Sequence, residues 1–402
     1  MHPATKRQDC RRVLEAVAVD SSALRLRGAN QKCITLDWSV LSIDGTTLVS
    51  RSVAELGSNN AMDHKTRQIV NTNADTVANT TLRRDMRNQN RFESQHDDVM
   101  ASQAPYKLGP HVRLSWKKPT ELPAHPIFLS SGASDDTKRP DAPAYAATIL
   151  AEAEGFMTSY LPSNFKTKSR DKSSPPSTAP VELLSHEIAS SGFPSRTPEA
   201  YGAPSEAWFA RTSIHENEAK DGTATWEEFD FGLRIDHSAH EMEYTPGVKE
   251  AHLCIDWNEE LQKVDRKVGD WEDVQMEVRE MLHQLPPPLE KRVFPVLIVT
   301  ARRREELLVV QMPVGTKGLP LEAEGGVGVK YHNIPKVTGG QYVSIERAQV
   351  VDDGEKVKWQ MATASDANGN LPMWAQKMGV PGAVVKDVGL FIDWTAKRRK
   401  GT

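Results

Sequence analysis

The sequence has little cysteine and no long apolar run. Its three cysteines, Cys10, Cys33 and Cys254, cannot form a closed set of disulfides and do not have metal-binding spacing, a usage typical of a reducing compartment. The longest apolar run, residues 293–301, is far shorter than the roughly 20 residues of a membrane-spanning helix. The N-terminal residues lack the apolar segment of a signal peptide. We therefore expect a cytoplasmic protein that holds no metal and no other cofactor.

A strong excess of charge is also missing. The formal net charge of the 402 residues is -4, and 38% of them are hydrophobic, which is enough for a sizeable core. A chain so close to neutrality exerts no overall attraction on phosphate backbones or anionic membranes. We expect no nucleic-acid partner and at most transient contact with a membrane. The basic run at residues 397–400 suits the negative end of a helix dipole.

The first 99 residues lack sustained apolar periodicity. Residues 54–100 are dense in Asn, Asp, Arg, Gln and Thr, and such a composition buries too little surface to offset its ordering entropy. One strand-like piece, residues 33–50, contains Asp44-Gly45, which favours a hairpin turn. We expect residues 1–99 to be disordered or poorly structured, or to be an upstream extension of the gene model with Met100 as the working start.

Residues 100–402 alternate between helix-like and strand-like patterns. Tyr145, Ile149 and Phe156 recur at helical spacing and predict an amphipathic helix, whereas the polar, Pro- and Ser-rich residues 166–180 predict a flexible insertion. Seven strand-like runs follow, at residues 207–216, 250–257, 272–285, 293–301, 306–314, 340–350 and 356–364. Their connections are short or contain breakers, which predicts an antiparallel meander.

The chain ends in a second helical pattern. Val384, Val388, Phe391 and Thr395 recur at helical spacing, and Pro381 suits the first turn of a helix. Such an amphipathic helix requires an apolar surface to cover.

Three short motifs invite a catalytic or metal-binding interpretation. The motif HSAHE at residues 237–241 lacks the four-residue spacing of a zincin helix, so we expect its histidines to form ordinary hydrogen bonds near a helix end. Ser365 and Asp366 lie outside any Gly-x-Ser-x-Gly elbow, and turn formation explains them better. Cys254 lies in an apolar strand without a basic neighbour, which predicts a buried, inert thiol.

Two charged residues within alternating strands, Arg211 and Glu346, are open to two interpretations. If their side chains point inward, they must pair with one another or with a polar ligand, because unpaired buried charge is unfavourable. If they point outward, they are ordinary surface charges.

Several motifs occur in the order found in a fungal START-like domain of unknown function, which the chain resembles over residues 104–396. They are WFARTSIHE at 208–216, TATWEEF at 223–229, RVF at 292–294, YVSIER at 342–347, WQMATASD at 359–366 and VPGA at 380–383. The resemblance implies an α+β helix-grip fold for residues 100–402, in which a curved antiparallel sheet surrounds a long C-terminal helix and leaves a tunnel. Relatives with this architecture bind sterols, phospholipids and other apolar molecules, and some cyclise or aromatise polyketides.

This resemblance leads to a prediction about function. We expect the chain to bind or transfer a lipid or another hydrophobic small molecule, through residues that alternate along the strands. The expected ligand-binding residues are Arg211, Ser213, His215, Tyr342, Ser344, Glu346, Trp359 and Met361. Burial of a few hundred Å² of ligand at about 25 cal/mol per Å² would suffice for binding.

Two alternatives stay open. The first is a cyclase- or isomerase-like enzyme that acts on a polyketide or a similar intermediate, with candidate catalytic residues Arg211, His215, Tyr244, Glu346 and Asp366. Convergence of two or more of these side chains inside the tunnel would favour the enzyme, and an apolar lining would favour transport. The second is an adaptor, which a fully packed interior would favour. The patterns do not determine the oligomeric state.

Overall fold

The computed structural model describes the strands within residues 16–53 and then residues 106–130, 139–189, 205–285, 289–322, 327–369 and 373–401. These residues fall into two compact units, Met1–Ser102 and Gln103–Thr402.

The first unit contains a four-stranded antiparallel sheet. Its strands lie in the order β1 (Ala16–Asp20), β2 (Ala23–Leu26), β3 (Ile34–Ile43) and β4 (Thr46–Val53). Ile43 lies opposite Thr46, which is consistent with the hairpin predicted there, although Asp44 and Gly45 themselves lie outside the described residues. The prediction that residues 1–99 are poorly structured or precede the natural start stays a prediction, and residues 54–99 lie outside the described residues.

Ten strands of the second unit form one sheet. They are β5 (Lys166–Lys172), β6 (Val181–Ala189), β7 (Ser205–Glu216), β8 (Val248–Asp256), β9 (Glu272–His283), β10 (Lys291–Arg303), β11 (Glu306–Pro313), β12 (Val337–Gly339), β13 (Gln341–Val351) and β14 (Lys356–Asp366). Their order is β5-β6-β7-β14-β13-β11-β10-β9-β8, and β12 pairs with β10. Neighbours along this order are antiparallel, whereas β12 runs parallel to β10. The predicted antiparallel sheet is confirmed: β8 to β11, β13 and β14 follow one another as a meander, whereas β7 pairs with β14 and not with β8.

Seven α-helices accompany the sheet in the described part of the chain. They are α1 (Pro126–Ser130), α2 (Ala142–Gly155), α3 (Leu161–Asn164), α4 (Trp226–Leu233), α5 (His237–Tyr244), α6 (Asn258–Gln262) and α7 (Met373–Lys400). A π-helical turn, Phe156–Tyr160, joins α2 to α3. Helix α4 begins with a capping box, in which the Thr225 hydroxyl accepts the Glu228 N–H and the Glu228 carboxylate accepts the Thr225 N–H.

Both faces of the ten-stranded sheet are covered. We call the side that carries Arg211, Glu346 and Trp359 the inner face, and α4, α5 and α7 pack against it. The opposite side, which carries Trp208 and Ile345, is the outer face, and α2 covers it. The two faces differ because alternate residues of a strand point in opposite directions.

Helix α7 covers the inner face with its C-terminal half. Val384, Val388 and Phe391 are buried, as the helical spacing predicts. Contrary to the prediction, Pro381 does not lie in the first turn: α7 begins at Met373 and contains Pro381 inside it. A proline inside a helix lacks the N–H that would bond the preceding turn, so the hydrogen-bond ladder of α7 is interrupted there. The long C-terminal helix across an antiparallel sheet makes this an α+β helix-grip fold.

Residues 166–180 differ from the predicted flexible insertion in their secondary structure. Residues 166–172 form β5, which pairs with β6. The polar composition misled the prediction because an edge strand requires backbone pairing on one side only and leaves its side chains in water. Ser174 is buried, and its hydroxyl accepts the N–H of Gly389 at 2.8 Å, so the segment after β5 is attached to α7.

Candidate ligand-binding site

The eight side chains predicted to bind a ligand lie on the inner face. Met361 of β14 lies between Arg211 of β7 and Glu346 of β13 in the register of the sheet. Trp359 lies opposite Ser213 in the next row. His215, Tyr342 and Ser344 belong to the same face by strand alternation. The alternation predicted from the sequence is therefore correct for this set.

Arg211 and Glu346 point inward and pair with one another. Arg211 is 1% exposed, its Nη2 lies 3.7 Å from Glu346 Oε2, and its guanidinium carbon lies 3.7 Å from the centre of the Trp359 ring. Trp359 Nε1 donates to Glu346 Oε2 at 2.8 Å. Arg211 Nε and Nη1 have no hydrogen-bond partner among the described residues. The surface-charge interpretation of this pair is wrong.

More titratable groups face this pair from the helices. Burial, reinforced by Glu346 and Asp387, raises the pKa of Glu241 on α5 to about 8. Burial also raises the pKa of Asp387 on α7 to about 6, although the charge of Arg211 opposes this shift. Burial also raises the pKa of Tyr244 well above its ordinary value, and the nearby Glu241 raises it further. At neutral pH Glu241 is therefore mostly protonated and can donate a hydrogen bond.

A hydrogen-bonded chain continues from this region along the sheet. The Tyr342 hydroxyl donates to Gln311 Oε1, and Gln311 Nε2 donates to His237 Nε2 at 3.1 Å. His237 Nδ1 donates to the Leu233 carbonyl at 2.6 Å, which fixes the tautomer and leaves Nε2 as the acceptor. Burial lowers the pKa of His237. We name Arg211, Glu241, Tyr244, Glu346 and Asp387, together with this chain of Tyr342, Gln311 and His237, the inner polar cluster.

The histidines of the HSAHE motif form ordinary hydrogen bonds, as predicted. Besides the bond of His237 to Leu233, His240 Nδ1 donates to the Phe231 carbonyl at 3.1 Å. His237 also lies 3.5 Å from the Glu241 carboxylate.

His215 lies beside the cluster among aromatic rings. Its Nε2 lies 2.8 Å from the Ser213 hydroxyl, and its ring contacts Phe229 and Trp359. Burial, with the nearby charge of Arg211, lowers the pKa of His215 to about 3. The imidazole is therefore neutral throughout the physiological pH range.

Asp366 does not join the inner polar cluster. It ends β14, where its Oδ1 accepts the Asn368 N–H at 2.9 Å and the Gln376 side-chain amide at 3.1 Å. It is an even-numbered residue of β14, whereas the inward-facing Trp359 and Met361 are odd-numbered, so Asp366 belongs to the other face. Its position supports a structural role in the corner before α7, and the catalytic candidacy of Asp366 is not supported.

Aromatic side chains pack against one another beneath the C-terminal helix, where the resemblance predicted a tunnel. The Phe391 ring of α7 contacts Phe229 at 5.1 Å, Trp359 at 5.0 Å and Trp394 at 5.8 Å between ring centres. These rings, which the sequence places at helical and strand spacing, interlock where an open apolar tunnel was expected.

A cavity of about 200 Å³ lies elsewhere on the inner face, between the start of α5 and strands β8 to β10. It is lined by Asp236, His237, Leu253, Asp256, Asn258, Gln275, Glu277, Arg279, Ile298 and Thr300. Thr300 is 3% exposed, and its hydroxyl has no hydrogen-bond partner within the described ranges. A wider depression of about 810 Å³ around Asp270 and Arg304 is open and lies apart from the inner polar cluster.

The sequence interpretation missed most of this cavity lining. The sequence signal that could have revealed this lining is the alternation of Gln275, Glu277 and Arg279 with apolar residues along β9. Charged residues on a strand normally indicate a solvent-facing side, whereas here Asp236 and His237 at the start of α5 help to enclose these residues in a cavity.

The model of the family described as "Protein of unknown function (DUF3074)" matches residues 208–395, which include the whole inner polar cluster. No curated protein matches the chain.

Among solved structures the chain is similar to three human START-related domains. The StarD13 (DLC2) lipid transfer and protein localization domain is 14% identical, with a TM-score of 0.34, over 57% of this chain and 87% of that one. StAR-related lipid transfer protein 5 is 12% identical, with a TM-score of 0.42, over 64% of this chain and 99% of that one. STARD10 is 11% identical, with a TM-score of 0.38, over 63% and 84%.

Among the helices of the described residues, none combines the length and apolarity that a membrane span requires.

Proposed function

We propose that the helix-grip domain binds a hydrophobic small molecule or lipid along its inner face, with Arg211 as the contact for an anionic or hydrogen-bond-accepting head group. The observation that carries this proposal is the pair of unpartnered donors, Nε and Nη1, on an arginine that is 1% exposed. A buried charged donor without a partner is unfavourable by about 1–3 kcal/mol or more. Two oxygens of a carboxylate, phosphate or sulfonate satisfy adjacent guanidinium donors in a bidentate pair.

The length of the inner face supports an extended ligand. Arg211 lies on β7 and the 200 Å³ cavity reaches β10, which is four strands away in the order of the sheet. At about 4.8 Å per strand the distance is roughly 19 Å, comparable to a fused-ring metabolite or an acyl chain. The cavity by itself has room for only about six or seven waters at about 30 Å³ each. An extended ligand therefore requires movement of the aromatic rings beneath α7.

The N-terminal half of α7 is the element suited to such movement. Met378 is 74% exposed, and a Cβ placed at Gly379 or Gly382 would have no atom within 4 Å. Pro381 interrupts the hydrogen-bond ladder between this loosely packed half and the buried half. The side chains of Gln376 and Asp366 bond the loosely packed half to the end of β14. We infer that the ligand is admitted when this half of α7 swings outward.

Two fluorescent probes with the same ring system test the head-group assignment. Anilinonaphthalene sulfonate carries an anionic group, and phenylnaphthylamine lacks it. The double variant Arg211→Gln with Glu346→Gln should bind the sulfonate about thirtyfold more weakly, a loss of about 2 kcal/mol, and should bind the uncharged probe as the wild type does. Fluorescence titration of the folded full chain, with native mass spectrometry of extracted lipids beside it, measures both.

The matched control is the double variant Arg347→Gln with Glu306→Gln. This pair lies on the outer side of the same sheet, with Arg347 Nε 2.6 Å from Glu306 Oε1, and both side chains are mostly buried, although less completely than Arg211. Its removal should leave both probe affinities unchanged. Equal sulfonate binding by the Arg211 double variant and the wild type would contradict the assignment. Binding of neither probe by the wild type would contradict ligand binding itself and favour the adaptor, which the aromatic packing beneath α7 allows.

A second candidate function is acid–base catalysis on a hydrophobic intermediate. It is favoured by the convergence of Arg211, Tyr244 and Glu346 and by the raised pKa of Glu241, about 8, which makes this carboxyl a proton donor at neutral pH. The test uses a β,γ-unsaturated ketone, whose conjugated isomer is detected by its absorbance. Isomerisation by the wild type and its loss in Glu241→Gln would support the enzyme, whereas a wild-type rate equal to the buffer rate would argue against it.

A further inference from the structure

Three metal-ligating side chains meet on the outer side of the sheet, away from the inner polar cluster. His252 and Cys254 are two residues apart on β8, and Glu280 of β9 lies opposite His252 in the register of the two strands. A ring nitrogen of His252, Cys254 Sγ and a carboxylate oxygen of Glu280 all lie within 4.8 Å of one another. Cys254 and Glu280 are each 1% exposed.

The segment that contains Gly328 covers these three residues and orients them. The Gly328 N–H donates to the Cys254 carbonyl at 3.2 Å, and His252 Nε2 donates to the Gly328 carbonyl at 2.9 Å. Glu280 Oε2 accepts the backbone N–H groups of Lys330 and Tyr331 at 2.7 and 3.1 Å.

Only glycine fits at the closest approach of this cover. Gly328 has a φ of +117°, and a Cβ there would lie 2.7 Å from the carbonyl carbon and oxygen of Leu321. The cover therefore has a defined backbone geometry over the three side chains.

We propose that His252, Cys254 and Glu280 form a Zn²⁺ site. One nitrogen, one sulfur and one oxygen are the donors that Zn²⁺ accepts in a tetrahedral site, and three protein ligands leave a fourth position for water. The bond of His252 Nε2 to the Gly328 carbonyl leaves Nδ1 unprotonated for the metal, and such a bond to a second group is typical of metal-binding histidines. Donor atoms around zinc lie about 3.5 Å apart, so the ion draws the three ligands together by about 1 Å.

Binding is a proton exchange without a redox step. Zn²⁺ displaces the proton of the Cys254 thiol into solvent, and a zinc–sulfur bond replaces the sulfur–hydrogen bond. The ion joins β8 to β9 beneath the cover and therefore stabilises this end of the sheet. The proposal does not depend on ligand binding at the inner face.

The test titrates the metal-free full chain with Co²⁺ and Zn²⁺. Co²⁺ should produce a thiolate-to-cobalt charge-transfer band and the visible bands of a tetrahedral ion, and Zn²⁺ should abolish both. Cys254→Ser should lose the charge-transfer band and weaken Co²⁺ binding about a hundredfold. Glu280→Gln, which keeps the thiol, should weaken binding about tenfold or more and retain the band at saturation.

Cys10→Ser, Cys33→Ser and His240→Asn are the control variants, and each should bind Co²⁺ as the wild type does. Circular dichroism confirms which variants are folded, and the wild-type melting temperature should rise with Zn²⁺ by mass action. Absence of a thiolate band in the folded wild type overturns the proposal, as does a band that survives Cys254→Ser or disappears with either of the other cysteines.

Discussion

The inner and outer faces of the ten-stranded sheet are both buried, yet their charged side chains are treated differently. On the outer side, Glu152 accepts the N–H groups of His111 and Val112, and Glu206 accepts the Leu114 N–H and Trp208 Nε1. On the inner side, two donors of Arg211 have no partner among the described residues. Hydrogen-bond donors of the fold hold the carboxylates of Glu152 and Glu206, and the unpartnered donors of Arg211 are the basis of the contact proposed above for a ligand head group.

Packing on the outer face should contribute the largest single effect on stability. Phe156 is fully buried, and its ring lies 4.8 Å from Trp208 and 6.0 Å from Phe165 between ring centres. Phe156→Ala should lower the free energy of unfolding by about 3–5 kcal/mol, because it removes buried surface and leaves a cavity. Denaturant unfolding measures this loss, and Phe156→Leu, which keeps most of the volume, should lose much less. A loss below about 1 kcal/mol in Phe156→Ala would show that the site collapses without a cavity.

On the inner face, the free energy of unfolding should depend on the pairing of Arg211 with Glu346 more than on apolar packing. Glu346→Leu should lower the free energy of unfolding by about 3 kcal/mol, because it leaves the Arg211 charge buried without its carboxylate. Adding Arg211→Met should recover most of this loss, since an apolar pair of similar volume is often as stable as a buried ion pair. Urea unfolding of the wild type, Glu346→Leu, Arg211→Met and the double variant gives the four free energies of a double-mutant cycle. Additive losses would mean that the two side chains do not interact.

The protonated Glu241 should produce the smallest of the three effects, a pH dependence. Its folded pKa of about 8 lies above its ordinary value of 4.5, so the folded state binds one more proton than the unfolded state between these values. Its contribution to stability is therefore present at low pH and lost as pH rises through about 8. From pH 7 to 9 the stability of the wild type should fall relative to Glu241→Gln.

The buried histidines do not disturb this comparison. Burial lowers the pKa of His215 to about 3 and that of His237 below its ordinary value, so both are unprotonated above pH 7 in the folded and unfolded states. Glu243→Gln, on the half-exposed side of the same helix, is the control variant. Parallel pH profiles for the wild type and Glu241→Gln would show that Glu241 is ionised at neutral pH.

Strand alternation explains how much of the fold follows from the sequence. Seven of the eight strands from β7 to β14 were predicted, all except the three-residue β12, because strand-like runs of alternating or continuously apolar residues occur there. Strands β5 and β6 were also missed, since the polar β5 resembles a linker and β6 follows the Pro- and Ser-rich residues after it. Alternation sorts Arg211, Ser213 and His215 onto one face, but it does not tell which face a helix covers when both are buried.

The site depends on contacts that no local pattern contains. Arg211 has unpartnered donors because Glu346 contacts only its Nη2, at 3.7 Å. The cavity beside Thr300 exists because the start of α5 lies over β8 to β10. The Zn²⁺ ligands lie on two strands and form no linear motif, so the spacing of the cysteines could not reveal them. The cytoplasmic location and the absence of a nucleic-acid partner stay predictions.

The free edge of the sheet has a consequence for association between chains. Strand β5 lies at the end of the strand order and carries Lys166, Lys168, Arg170 and Lys172. A second copy that added its own β5 alongside would bring two rows of positive charge within about 5 Å. The lysine-rich rim thus protects an otherwise open hydrogen-bonding edge from self-templated aggregation.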